Sequence, residues 1–346
     1  MEINWLHDFI AVATTRSFSR AAEQRNCSQP ALSRRIQALE VWTGAPLLDR
    51  TTHSVNLTPA GEGFRETAED VLRRLSAGRL DAQERARGAS DVLKFASTNA
   101  LSLTFFPDWL RGIETKLSFV PNVQLVANHM EACERILLAG DAHFLLCHYH
   151  PAAATALAPS HFRSLHVGDD RLIPASVPIS GRSRKPRFKL PGTAAAPVPF
   201  LSFRPESGMG RILEAVRATS PLDAHLRTTF TSHLAKLLVT MVQAGRGMAW
   251  LPESLIADQL ASGEIVAAGG PQWHVPIEIH VFRPKLRLAQ AAEAFWQHIA
   301  KSSRRTYQSR VRALRLTPAS SSASASRPSA SVAARDCPRL RTDVQP

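Results

Sequence analysis

The 346-residue chain contains no uninterrupted apolar run of about 18 residues, the length a helix needs to cross a bilayer, so a membrane span is not expected. Its four cysteines, Cys27, Cys133, Cys147 and Cys337, make no C-x-x-C pair and no metal-ligand spacing, which argues against a zinc module or a disulfide scaffold. His129, His143, His148 and His150 lie near one another in sequence but without a ligand spacing, so no metal site is expected. There is no glycine-rich phosphate loop and no nucleophile elbow, so nothing speaks for an enzyme and no cofactor is expected. The opening Met1-Glu2-Ile3-Asn4-Trp5 has no basic segment followed by an apolar core, so a secretory leader is not expected and a reduced, cytoplasmic protein fits.

What is present is an ordinary globular composition, 44% hydrophobic and 21% charged, long enough for two or three folding units. The formal net charge of +13 invites a nucleic-acid reading, but its placement weakens that inference. Much of the excess sits in Arg182, Arg184, Lys185, Arg187 and Lys189, and in a tail where ten lysines and arginines face two aspartates between 301 and 346. Bulk charge therefore decides little, and local pattern has to carry the argument.

The local pattern begins with a helix over 4–16, where Trp5, Leu6, Phe9, Ile10 and Ala13 recur at helical spacing. Ser19 is positioned to cap a short helix through Glu23, and Asn26-Cys27-Ser28 makes a tight turn. Ser28, with Pro30 in the first turn, opens a further helix that stops near Gly44. On it Leu32, Ile36 and Leu39 share one face, leaving Ser28, Gln29, Ser33, Arg34 and Gln37 outward. Two strands around a polar turn at 51–54 then form a small wing. This is the layout of a helix-turn-helix whose second helix enters the major groove of double-stranded DNA. Glutamine can pair with adenine, arginine with guanine or phosphate, so the candidate contacts are Arg20, Ser28, Gln29, Ser33, Arg34, Arg35 and Gln37, with Arg50 on the wing. Arg35 and Glu40 can equally be ordinary surface residues.

Thr58-Pro59 repeats the cap-and-proline signal and opens a long polar helix, expected to reach about Arg87, with Phe64, Ala68, Val71, Leu72 and Leu75 along one stripe. A narrow apolar stripe on so long a helix asks for a partner helix, hence a homodimer or homotetramer. From residue 92 strands and helices alternate, the pattern of an α/β architecture. The expected strands are Val92–Ala96, Val123–Ala127, Phe144–Cys147, Phe200–Phe203, Thr228–Phe230, Gly247–Trp250 and Ile277–Phe282. The expected helices are Leu101–Glu114, Glu131–Ala139, Gly210–Ala218, Ser232–Ala244 and Ala289–Ala300. The stretch 178–197 reads as a surface loop, and the residues past 317, rich in Ser, Ala, Pro and Arg, as disordered.

The run "FSRAAEQRNCSQPALSRRIQALE" followed by "LLDRTTHSVNLTPAG" resembles the DNA-binding domain of LysR-type transcriptional regulators. Leu48 departs from that family's usual Phe, a volume-conserving apolar change. The resemblance implies an α/β protein with an N-terminal all-α winged helix-turn-helix at 1–58 and a linker or dimerisation helix at 59–88. It further implies a two-lobed, periplasmic-binding-protein-like effector domain at 89–301, with 302–346 as an added basic tail. It implies a sequence-specific regulator whose promoter binding answers to a small-molecule or oxidant effector; the alternative is a general nucleic-acid binder acting through the tail.

In a two-lobed receptor the effector sits where strand ends and helix starts of both lobes converge. By chain position that gives Ser97, Thr98 and Asn99, then Cys147 and His148, then Ser202 and Phe203, then Thr231 and Ser232. Thr98 and Ser232 can instead be plain helix caps. The segments "LSLTFFPDWL", "SGMGRILEAV" and "GRGMAWLPESLI" resemble a hypochlorite-responsive subgroup of the family, which implies an oxidisable sulfur. Met209, in a Gly-Met-Gly turn, is the residue expected to be the exposed sensor, with Cys147 second and plain packing roles the alternative.

Overall fold

The computed structural model describes residues 1–49, 55–86, 92–115, 122–180, 183–219 and 224–302. The N-terminal head is built from α1 (Ile3–Thr15), α2 (Phe18–Gln24) and α3 (Gln29–Thr43), closed by the antiparallel strands β1 (Leu48–Asp49) and β2 (Asn56–Leu57). Phe9, Val12, Ala21, Ala22, Leu32, Ile36 and Leu39 interlock as its core. The alanines on α2 let that helix approach the others closely. The cap of α2 differs from expectation: Ser17, not Ser19, accepts the Arg20 amide, so the helix starts a residue or two earlier. Gly44 ends α3 with φ of 72°, a left-handed cap that glycine adopts without strain.

Thr58 starts the long helix α4 (Pro59–Ala86) as expected, its hydroxyl accepting the Gly61 amide at 3.0 Å. A Cβ on Gly61 would meet the Leu47 carbonyl oxygen at 2.0 Å, so only glycine lets this helix start against the wing. The apolar stripe of α4 divides: Ala68 and Leu72 are buried and Phe64 packs on the head core, while Val71 and Leu75 are exposed.

The remaining elements form two lobes, carried by a curled seven-stranded sheet of order β10-β6-β11-β5-β3-β4, with β9 also beside β6, and by a separate two-stranded sheet, β7-β8. In the first lobe β3 (Val92–Thr98) lies parallel to β4 (Asn122–Asn128) and β5 (Phe144–Tyr149). Helices α5 (Asn99–Thr104), α6 (Phe106–Glu114) and α7 (Met130–Leu138) connect these strands. The second lobe holds β7 (Val198–Phe203), parallel to β8 (Leu226–Ser232), and β9 (Ala249–Pro252) and β10 (Val266–Ala267), with α8 (Gly208–Thr219), α9 (Ala235–Gln243) and α10 (Glu253–Ser262). A last helix, α11, covers 290–302 and returns Phe295 and Trp296 to the first lobe's core beside Phe95 and Phe144.

Two elements depart from expectation. The helix expected over Leu101–Glu114 breaks at Phe105, because the Pro107 ring clashes with the carbonyl a turn earlier and offers no N–H. More consequential is the fifteen-residue strand β6 (Phe162–Ser176), which the sequence pattern does not announce because Gly168-Asp169-Asp170 reads as a turn. β6 runs antiparallel to β11 (Val275–Pro284) and the pair crosses from one lobe to the other, with a register irregularity at Ile279/His280. These two strands are the hinge of the domain. The stretch expected as a surface loop is partly anchored, since Leu190 is buried and its amide donates to the Ala268 carbonyl at 2.8 Å. Except for Ser302, the tail 302–346 lies outside the described residues.

Candidate DNA-reading face and interlobe cleft

With Leu32, Ile36 and Leu39 buried, the opposite face of α3 presents Ser28, Gln29, Arg34 and Gln37 to solvent, with Ser33 half-buried among them. Ser28 occupies the N-cap position but makes no side-chain cap bond. The Ser19 hydroxyl donates to the Gln29 amide oxygen at 3.1 Å, which orients that glutamine before any partner arrives. Arg20 is exposed and donates to the Thr15 carbonyl at 2.8 Å, a C-terminal cap for α1.

Arg35 is different. Its guanidinium turns inward to Asp8, 0% exposed, at 3.0 Å, and Arg25 holds the other carboxylate oxygen at 2.8 Å. That ion triad ties α1 to α3 and to the end of α2, which gives Arg35 a structural role beside any groove contact. Glu40 is likewise structural: its carboxylate accepts the Leu47 and Leu48 amides at 2.9 and 3.1 Å, fixing β1 against α3. Arg50 lies outside the described residues.

Between the lobes is a partly open cavity of about 30 Å³. Thr98, Asn99 and His148 come to it from the first lobe, Phe203 and Met209 from the second. Sequence reasoning also missed Asn128, His129, Ser207 and His233 as lining residues. His129 caps α7 by accepting the Ala132 amide, and its ring faces His233 across the lobes at 5.5 Å. The signal that existed was the N-cap position of His129 ahead of α7; nothing local pointed to His233, which only tertiary folding brings opposite.

Two buried carboxylates, each held by partners, bracket the cavity. Glu134 on α7 is buried, accepts from the Thr155 hydroxyl and the Ala156 amide, and is met by Arg211 of α8 at 2.8 Å, a clasp across the lobes. On the hinge side, Asp170 of β6 receives His148 Nε2 at 3.3 Å, the Ser254 hydroxyl at 2.6 Å and the Ser254 amide at 3.2 Å. Burial pushes the Asp170 carboxyl up, but the hydrogen bonds from His148 and Ser254 outweigh it and hold it below the ordinary range. Beside it Arg171 pairs with Glu253 in the first turn of α10.

The head and the paired lobes match known proteins along the described chain. Residues 3–62 match the model described as "Bacterial regulatory helix-turn-helix protein, lysR family", and 86–304 match "LysR substrate binding domain". The chain belongs to the LysR family. It is 27% identical to the HTH-type transcriptional regulator YjiE of Escherichia coli K12 over 86% of this chain and 94% of the relative. It is 31% identical to YnfL of the same organism over 75% of this chain and 85% of that one. Among solved structures, full-length HypT from Salmonella typhimurium, a hypochlorite-specific LysR-type regulator, superposes with a TM-score of 0.52 at 28% identity over 88% of this chain and 99% of that one. Vibrio fischeri DarR in complex with DNA gives 0.51 at 29% identity over 87% and 98%. This chain is thus a LysR-type transcriptional regulator with a DNA-binding helix-turn-helix and an effector-binding domain, not an enzyme.

Within this LysR-type domain the expected effector residues separate. Thr98, Asn99, His148 and Phe203 reach the cavity. The others do not line it. Ser97 is buried against its own strand, and Ser202 faces a separate groove with Glu214 and Arg217. Thr231 is exposed, and the Ser232 hydroxyl accepts the Leu234 amide. Ser232 therefore has a local capping role, whereas the Thr98 hydroxyl makes no cap bond at all. Cys147 points away from the cavity, into the core shared with Cys133. Burial pushes both thiols up, Cys133 to about 12, which leaves neither as a reactive thiolate. Met209 is 6% exposed, so the expected exposed sensor is instead a buried residue on the cavity wall. Among the described residues no cluster of three or more His, Cys, Asp or Glu could hold a metal ion, and no helix is long and apolar enough to cross a membrane.

Proposed function

We propose that this regulator reads promoter DNA with the outer face of α3 and changes its grip when the interlobe cleft is occupied or Met209 is oxidised. The observation that carries the reading is the division of α3 into a buried face, Leu32, Ile36 and Leu39, and an exposed polar face with Gln29, Arg34 and Gln37. Arginine and glutamine on such a face supply both phosphate and base-edge contacts, with Arg20 and Ser28 at its edge. Assembly as a homodimer or homotetramer is supported by apolar side chains left outside: Val41 at 81% and Trp42 at 56% exposure, with Val71 and Leu75 on α4. Such a protein works in the cytoplasm.

The Met209 part of the reading draws on the cavity wall it occupies and on the likeness to HypT. Hypochlorite would transfer its oxygen to the thioether, giving sulfoxide and chloride and placing a polar group in a tight wall. The test is a promoter footprint with and without hypochlorite and with candidate metabolites, on the full chain and on Met209→Leu. A footprint that shifts with oxidant in the full chain and not in Met209→Leu supports the oxidant arm. An unchanged footprint with Met209 intact by mass spectrometry removes that arm. Loss of sequence-selective footprinting on deletion of 303–346 would replace the whole reading by general nucleic-acid binding through the tail.

A further inference from the structure

Resting on the cleft as effector site, we infer that His148 selects the effector, and that it selects a compact hydrogen-bond donor over an anion of the same size. His148 is 4% exposed and forms the wall shared by the cavity of about 30 Å³ and a second one of about 20 Å³. Its two ring nitrogens are in opposite situations. Nε2 faces the Asp170 carboxylate, which can only accept, so that nitrogen carries the proton. Nδ1 is buried with no hydrogen-bond partner. With the proton on Nε2, Nδ1 turns a lone pair toward any donor that reaches it. The Thr98 hydroxyl, on the same cavity, is also buried without a partner.

Size and charge narrow the class. About 10–15 Å³ of such space holds one water, so the enclosed part of this cavity takes about two to three heavy atoms. The Glu134–Arg211 clasp and the Glu131 amide donating to the Glu206 carbonyl at 3.3 Å hold the lobes together beside that volume. No Lys, Arg, Asp or Glu is among the described residues lining it; the titratable groups on its wall are His129, His148 and His233. A carboxylate has no proton to give Nδ1, so an anion gains nothing from that lone pair. Asp170 is the positioning residue: it never reaches the cavity, yet it fixes which ring nitrogen carries the proton. It also holds the first turn of α10 through Ser254, so whatever engages His148 is felt at the hinge strand and in the second lobe.

The test is nitrogen NMR on the full chain labelled with ¹⁵N-histidine, with His148 assigned by its loss in His148→Gln. Formamide and methanol serve as neutral donors, acetonitrile as a neutral molecule of similar size without a donor, and formate as an anion of the same size as formamide. In the native chain the proton is expected on Nε2. Formamide and methanol are expected to move the Nδ1 signal at concentrations about tenfold below those needed for formate or acetonitrile, the difference one buried hydrogen bond makes. Asp170→Asn keeps the shape and the bonds to Ser254, but its amide donates to Nε2 and forces the proton to Nδ1. In that variant the order is expected to reverse, formate ahead of formamide, a change that lost packing alone would not produce. A native ring protonated on Nδ1, formate equal to formamide, or no inversion in Asp170→Asn overturns selection by His148 and leaves the cleft standing. Should a compound that alters the promoter footprint leave His148 unmoved, the inference and the cleft reading fall together.

Discussion

The reading head and the effector domain place their buried charge in opposite ways. In the head, the buried Asp8 is held by the partly exposed Arg25 and Arg35, so the pairs tie α1 to α3 and to the end of α2 within one small unit. In the effector domain, Glu134 meets Arg211 across two lobes, and Asp170 on the hinge strand meets His148 of one lobe and Ser254 of the other. A charge pair inside one core fixes a shape; a pair across a gap holds one of two arrangements. On the proposed function the head would present α3 to a groove unchanged, whereas the effector domain would change when something arrives between its lobes.

That contrast can be broken at its strongest point first. Arg211→Ala strands the buried Glu134 carboxylate with only a hydroxyl and an amide, and removing one partner of a buried pair costs about 3–5 kcal/mol. Denaturant unfolding is expected to show that loss in the effector domain while the head's transition stays in place; equal loss in both would mean the two regions do not differ as described. Next comes His143, packed beneath the first lobe's sheet, where its Nδ1 accepts the Lys94 amide. Burial first, then Lys94 and Arg283, lowers its pKa from 6.5 to about 4. Between those values the unfolded chain takes up a proton that the folded chain refuses. Stability is therefore complete above about pH 6.5 and is lost as pH falls toward 4, by about 3 kcal/mol in all. His143→Asn keeps an acceptor for Lys94 and is expected to flatten that slope in unfolding curves taken at pH 7, 5.5 and 4.5.

The smallest and sharpest comparison lies within α3. Arg34→Ala is expected to weaken operator binding by about 1–3 kcal/mol with the melting temperature unchanged. Arg35→Ala, one residue on, is expected to lower the melting temperature of the head, because Asp8 loses one of its two cations. Binding and melting measured on both variants would separate a reading residue from a structural one, and identical behaviour would dissolve the distinction.

The reading head was largely legible in the sequence because its information is local. Leu32, Ile36 and Leu39 repeat at helical spacing, Pro30 and Gly44 mark the ends of α3, and Thr58-Pro59 marks the start of α4. What escaped there was the inward turn of Arg35, since Asp8 stands 27 residues away and no periodicity announces a partner. The cleft was legible only in part. Thr98, Asn99, His148 and Phe203 could be found because strand ends in α/β lobes converge. Cys147 could not be told from its neighbour His148, because successive strand residues point to opposite faces and the chain alone does not say which face is the cleft.

Taken alone, the sequence determined the helix-turn-helix, the long linker helix and the alternation that makes an α/β effector domain, all consequences of spacing between near neighbours. Tertiary structure alone decided that β6 crosses the hinge, that Asp170 holds His148 and that Glu134 finds Arg211 77 residues along the chain. Such pairings are set by how a curled sheet brings distant strands together, and no short stretch of residues encodes that geometry.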